Sequence, residues 1–204
     1  MSGIKYSLRQ ESTSFSIGTT NLRSSNGSLI DTNGCVALLV LSGFAVATIN
    51  FEKRILRKGD FVLLFYDSTF SMLSISAAFS VRYVSFAYHL IEEAIYKPLS
   101  INFWNTIYSN PVFRPNERDF KLLVEWWYQM EWVNNIKDYD YQEEILKNNI
   151  RNLLVATDIE IMDHAGDSLR NSRGHAWMLV NRFFRLLSSY CRETREVQFY
   201  ADKL

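Results

Sequence analysis

The chain has 204 residues, enough to bury a substantial core in one or two domains, and its 48% hydrophobic and 22% charged content is that of an ordinary folded protein. Lysine plus arginine and aspartate plus glutamate number 22 each, so the formal net charge is zero. That balance lacks the basic excess with which a free-standing nucleic-acid binder neutralises phosphates.

The N-terminal stretch is rich in Ser, Thr, Arg and Glu and has no apolar signal-peptide core. Over the first 30 or so residues this composition favours extended or mobile chain over helix. Val36 to Leu41 and Phe44 to Phe51 then form two β-branched and aromatic runs around Ser42-Gly43, which reads as the turn of a hairpin. The same region, Cys35 to Ile49, is the most membrane-like part of the chain. It is broken by Ser-Gly and shorter than the roughly 20 residues a spanning helix needs, so no membrane partner is expected. Arg57-Lys58-Gly59-Asp60 is a polar turn into the strand Phe61 to Tyr66. Asp67-Ser68-Thr69 ends that strand, Phe70 to Ser76 alternates apolar residues with serine, and Phe79 to Tyr88 follows as another strand. On it Val81, Tyr83 and Ser85 share one face, and Arg82, Val84 and Phe86 the other. Short strands at this spacing predict a sandwich or barrel.

Beyond about Leu90 the apolar period becomes helical. Asn116 ahead of Glu117-Arg118-Asp119 is an N-cap with acidic residues in the first turn. Phe120, Leu123, Trp127 and Met130 then recur at helical spacing. From Tyr141 to about Asp163, Leu146, Ile150, Leu153, Thr157 and Ile161 form one stripe. A polar connection over Gly166 and Arg170 to Gly174 leads to a last long helix with Trp177, Val180, Phe184, Leu187 and Cys191 on its seam. Strands first and helices after is an α+β layout. The two cysteines, Cys35 and Cys191, lie in apolar stretches and read as buried free thiols, which suits the reducing cytoplasm.

At the C-terminus, Arg195-Glu196-Val197 followed by Phe199-Tyr200-Ala201-Asp202-Lys203-Leu204 resembles the entry into the first DNA-binding helix of AraC-type transcription regulators. Arg57-Lys58-Gly59-Asp60-Phe61-Val62-Leu63-Leu64 is similar to the Gly-Asp turn and strand of that family's cupin-like jelly roll. The order of parts agrees as well. The resemblance implies an α+β fold with an N-terminal cupin-like effector-binding barrel over residues 1–110. A helical dimerisation region over 111–193 follows, then the start of a helix-turn-helix domain over 194–204. It also implies a bacterial, cytoplasmic regulator that binds a small-molecule effector, forms a homodimer and is not an enzyme. DNA would be met only through the domain that follows, because the family's base-reading residues have no counterpart before Leu204.

In such a sensor the barrel interior would hold the effector, and Thr48, Asn50, Arg82, Tyr83 and Ser85 are the polar or amphipathic strand residues of which two or three are expected to line it. Two seams could pair protomers: Leu146, Ile150, Leu153 and Ile161 on one, Trp177, Val180, Phe184 and Leu187 on the other. The rival reading is a small cupin-fold enzyme with helical extensions. It would need converging metal ligands or an activated nucleophile. None of His89, His164 and His175 lies on a predicted core strand, and Cys35 has no basic neighbour in sequence, so no metal, cofactor or catalytic residue is expected. Glu92-Glu93 and Glu143-Glu144 read as solvated faces, as do Arg182, Arg185 and Arg192, which could alternatively meet phosphate. Trp126, Trp127 and Trp132 form an aromatic cluster suited to core packing or to a partner surface.

Overall fold

A computed structural model of the chain describes residues 5–25, 27–168, 183, 186, 190 and 194–203. Among the described residues eight strands come in chain order: β1 Phe15–Thr20, β2 Cys35–Ser42, β3 Phe44–Ile49, β4 Glu52–Arg57, β5 Phe61–Phe65, β6 Phe70–Ile75, β7 Ser80–Phe86 and β8 Val112–Phe113. The helices are α1 Tyr88–Ala94, α2 Ile101–Ser109, α3 Glu117–Asn134, α4 Tyr139–Ser168 and α5 Val197–Lys203. The fold is α+β, and its strands form a cupin-like jelly roll.

One antiparallel sheet has the order β1-β7-β2-β5-β8 and the other β4-β3-β6. Between β2 and β7 the chain crosses repeatedly from one sheet to the other, which closes two layers around a shared interior. Sequence texture tells the layers apart. The run Phe61-Val62-Leu63-Leu64-Phe65 is buried throughout, because β5 is covered on both faces. Val62 and Leu64 point between the sheets, whereas Phe61, Leu63 and Phe65 point to the helices. Glu52-Lys53-Arg54-Ile55-Leu56-Arg57 buries only Leu56, since the outer face of the β4-β3-β6 sheet meets solvent.

Three of the connections show what sets a corner or a turn. Gly43 has φ 67°, and a Cβ there would stand 2.6 Å from the Phe79 nitrogen. Ser42-Gly43 is therefore a corner between sheets and not the hairpin turn expected: β2 pairs with β5 and β7, while β3 pairs with β4 and β6. The hairpin lies one strand later. Ile49 pairs with Glu52 across Asn50 and Phe51, whose φ values of 49° and 67° make a two-residue primed turn. The polar turn before β5 is as expected, with Gly59 at φ 91° and the buried Asp60 carboxylate accepting the Arg57 N–H at 2.8 Å. The early chain, read as extended or mobile and not helical, contributes β1. Its Phe15 and Ile17 pack toward the helices, and the Tyr83 ring lies over Gly18.

The helices cover the outer face of the five-stranded sheet. Asn116 caps α3 as anticipated, its Oδ1 accepting the Asp119 N–H at 3.0 Å. α4 packs on α1, α2 and α3. Leu146, Ile150 and Leu153 of α4 join Phe103 and Ile107 of α2, Trp127 and Met130 of α3, and Cys35 and Leu63 of the sheet in one continuous core. Each such side chain contributes about 1.5–3 kcal/mol through burial. Of the expected tryptophan cluster, Trp126 and Trp127 stack edge to face at 5.0 Å, while Trp132 is exposed. Among the described residues no helix is long and apolar enough to cross a membrane.

Candidate functional site

Of the five candidate strand residues, two or three of which are expected to line the barrel, two face its interior. Tyr83 and Ser85 alternate with Val81 on the inner face of β7, and the Tyr83 hydroxyl lies 3.4 Å from Ser16 Oγ. Arg82 lies on the opposite face, its guanidinium 4.8 Å from the centre of the Tyr128 ring on α3. Thr48, opposite Lys53 and Ser71, is on the outer face of the β4-β3-β6 sheet because its neighbours Ala47 and Ile49 take the inner positions. Asn50 sits in the hairpin turn. Its Nδ2 donates to the Tyr108 carbonyl at 2.9 Å, and its Oδ1 accepts the Thr69 N–H at 3.0 Å. The structure does not bring the five together. Between the sheets, Val36, Leu38, Val40, Leu56, Val62, Leu64 and Phe70 meet as fully buried side chains.

A cavity of about 790 Å³ lies instead on the other side of the five-stranded sheet, beneath α2, α3 and α4. Its lining comes from three helix faces at spacings of three and four residues. Asn102, Asn105 and Thr106 project from α2, and Asp119, Leu122, Leu123 and Trp126 from α3. α4 supplies Asn152, Leu153, Ala156, Thr157, Glu160 and Ile161, and buried Phe61 of β5 lies beneath. The segment from Asn110 to Pro115, including β8, closes one side through Phe113 and Arg114. Phe61 is fixed by Phe113 at 6.1 Å and by Trp127 edge-on at 6.2 Å. Beside this cluster the indole N–H groups of Trp126 and Trp127 are buried and find no acceptor among the described residues.

Both ends of α2 are anchored, which sets one wall. At its N-terminus, Ser100 Oγ accepts the Phe103 N–H at 3.1 Å. Asp158 of α4 accepts the Ser100 N–H at 2.9 Å and also its hydroxyl. At its C-terminus, Asn50 holds the Tyr108 carbonyl and Arg54 donates to the Ser109 carbonyl at 2.6 Å. The Tyr108 phenol donates to Asp67. Desolvation first, and then that hydrogen bond, push the phenol above its ordinary pKa.

The charges near the cavity are few. Arg114 Nε stands 3.4 Å from the buried Asp60 carboxylate, and Asp119 and Glu160 are the carboxylates in the lining. Burial pushes the Cys35 thiol far above its ordinary range, so it is held protonated and offers no thiolate nucleophile. His89 is exposed on α1, and among the described residues no group of three or more His, Cys, Asp and Glu is placed to hold a metal. Glu93 is exposed on α1, as expected of a solvated face, and meets Lys147 at 2.9 Å, which lowers its pKa and raises that of the lysine.

Of the two seams considered for dimerisation, Leu146, Ile150, Leu153 and Ile161 are buried in the chain's own core. Trp177, Val180, Phe184 and Leu187 lie outside the described residues, as do Arg182, Arg185, Arg192, His175 and Cys191. At the C-terminus, Val197–Lys203 is helical. Tyr200 is buried in this segment and donates to the Thr194 carbonyl at 2.7 Å, and Phe199 stacks on Tyr190 at 5.3 Å.

Sequence reasoning missed the cavity because its lining is split over three helices and a two-residue strand. The available signal was polar: Asn102, Asn105, Asn110 and Asn152 sit on or beside otherwise amphipathic helices.

No family model matches the chain, and no curated protein does. Solved structures do. Apo ToxT of Vibrio cholerae strain SCE256 aligns over 95% of this chain and 71% of its own, at 14% identity and a TM-score of 0.49. Wild-type ToxT of that strain with an unsaturated fatty acid bound aligns over 95% and 70%, at 14% identity and 0.44. A further ToxT structure from Vibrio cholerae covers 93% and 88%, at 13% identity and 0.42. At these identities and scores the functional reading rests on the residues of this chain alone.

Proposed function

We propose that this chain is the sensory domain of an AraC-type transcription regulator, and that its small-molecule effector sits beneath α2, α3 and α4. The observation that carries the reading is the cavity of about 790 Å³. Its size lies within the range of sites for small ligands, and its walls are mainly apolar with a few polar groups at fixed positions. The Gly59-Asp60 turn, the jelly roll and the helix begun at Val197 support the family side of the reading. The domain acts as a homodimer and controls a helix-turn-helix unit that follows it, so occupancy must favour one of two arrangements of that unit. A cupin-type enzyme has less support, since Cys35 is held as the thiol and the described residues of the cavity lining include no histidine.

The test is a mobility-shift titration on the gene's own promoter at near-physiological salt. One protein is the 204-residue chain, and the other includes the coding sequence that follows Leu204. Specific retardation is expected only with the extended protein, because zero net charge removes most counterion release and a recognition helix must be held in the major groove. Specific binding by the shorter chain, or none by the extended one, overturns the reading.

A further inference from the structure

Resting on the proposal that the cavity is the effector site, we infer that its ligand is an amphiphile with an apolar body and a head group that carries no negative charge. The body is dictated by the deep part of the lining. Phe61, Leu153 and Ile161 are buried there, with Leu123 and Trp126 half-buried beside them. These surfaces offer dispersion contacts, no charge and one donor, the Trp126 indole N–H, so an ionised group placed against them would lose most of its hydration.

The head group is dictated by the mouth. Asn105, Asn152 and Glu160 are exposed at the cavity's edge, and Asn102 and Asp119 are half-buried. Asn102, Asn105 and Asn152 make no side-chain hydrogen bond to the described residues. Each amide therefore keeps both a donor and an acceptor for a ligand. Among the described residues the charges are uneven: Asp119 and Glu160 line the site and Asp60 lies beside it, against the guanidinium of Arg114. That guanidinium already faces Asp60 at 3.4 Å. A ligand carboxylate or phosphate would meet the exposed Glu160 carboxylate, the Asp119 carboxylate, whose partner is the neutral Asn116 amide, and a cation whose field Asp60 offsets. An amide, hydroxyl or ammonium head would meet free amide groups and favourable or neutral potential.

The probes are octanamide, octylammonium and octanoate, which share one chain and differ in head charge. Each is titrated calorimetrically into the full chain and into two variants that fill the cavity from opposite walls, Ala156→Trp and Leu122→Trp. Both sites are partly exposed, so at least one variant is expected to retain the native melting transition. Octanamide and octylammonium should bind about 10-fold or more tightly than octanoate, and both fillers should abolish that binding. The double variant Asp119→Asn, Glu160→Gln should narrow the gap by restoring octanoate. Octanoate binding as tightly as the other two, and displaced by the fillers, overturns the charge assignment while leaving the cavity as the effector site. No binding by any probe, or binding that both fillers leave intact, overturns the ligand class and the cavity reading together.

Discussion

Phe51 occupies a position that a bulky side chain rarely takes. Its φ of 67° follows Asn50 at 49°, and its ring is 88% exposed, so no burial offsets the left-handed backbone. Such a conformation costs a residue with a Cβ about 1–2 kcal/mol, of which glycine recovers part after its own entropy loss. Phe51→Gly is therefore expected to stabilise the chain by about 0.5–1 kcal/mol and Phe51→Val to destabilise it, as read from urea midpoints at unchanged slope. Tyr108 gives a pH signature. Its phenol titrates above the ordinary 10.0, so the folded state keeps a proton that the unfolded chain releases. The stabilisation is present in full below the unfolded value and declines as the pH rises beyond it. Tyr108→Phe should accordingly be less stable than the parent near neutrality, with the deficit shrinking from about pH 9.5 to 11 in thermal melts. A deficit that is constant or grows across that range would contradict the assignment.

Among the elements, legibility followed how local the determining physics was. β2 and β5 were readable because strands covered on both faces appear as unbroken apolar runs, as in Phe61–Phe65. The α3 cap at Asn116 was readable because a cap is a contact across three residues. The hairpin was placed wrongly for a clear reason. Ser42-Gly43 carries the usual turn residues yet joins two sheets, whereas the true primed turn uses Asn50 and Phe51, with no glycine. Nothing within ten residues separates a hairpin glycine from a corner glycine; the backbone of Ala78 and Phe79 does, by closing around Gly43. β1 was hidden in a Ser- and Thr-rich segment because its strand character comes from pairing with β7. The candidate site was less legible still. Thr48 and Arg82 are correct strand residues on outward faces, and one register position decides between the two sides.

At the scale of the whole molecule, the α4 stripe distinguishes internal packing from assembly. Ile150 is 1% exposed within a core that includes α1, α2 and the sheet. Ile150→Ala should cost about 2–5 kcal/mol through lost burial and the cavity left behind. Sedimentation of the still-folded variant should give the same assembly mass as the parent; a selective fall in mass without loss of stability would place that stripe at an interface instead. The double anchoring of α2 has a further consequence for signalling. The helix works as a strut fixed at one end to Asp158 on α4 and at the other to the Asn50–Arg54 hairpin of the opposite sheet. A strut pinned twice cannot slide away from an incoming guest without loading one of its pins. Filling the space under α2 should therefore be felt at the tip of a hairpin that contributes no lining residue to the cavity, as altered amide exchange at Asn50 and Thr69, whose N–H groups lie on that far pin. The jelly roll would then serve as the rigid frame against which tension in a single short helix is measured.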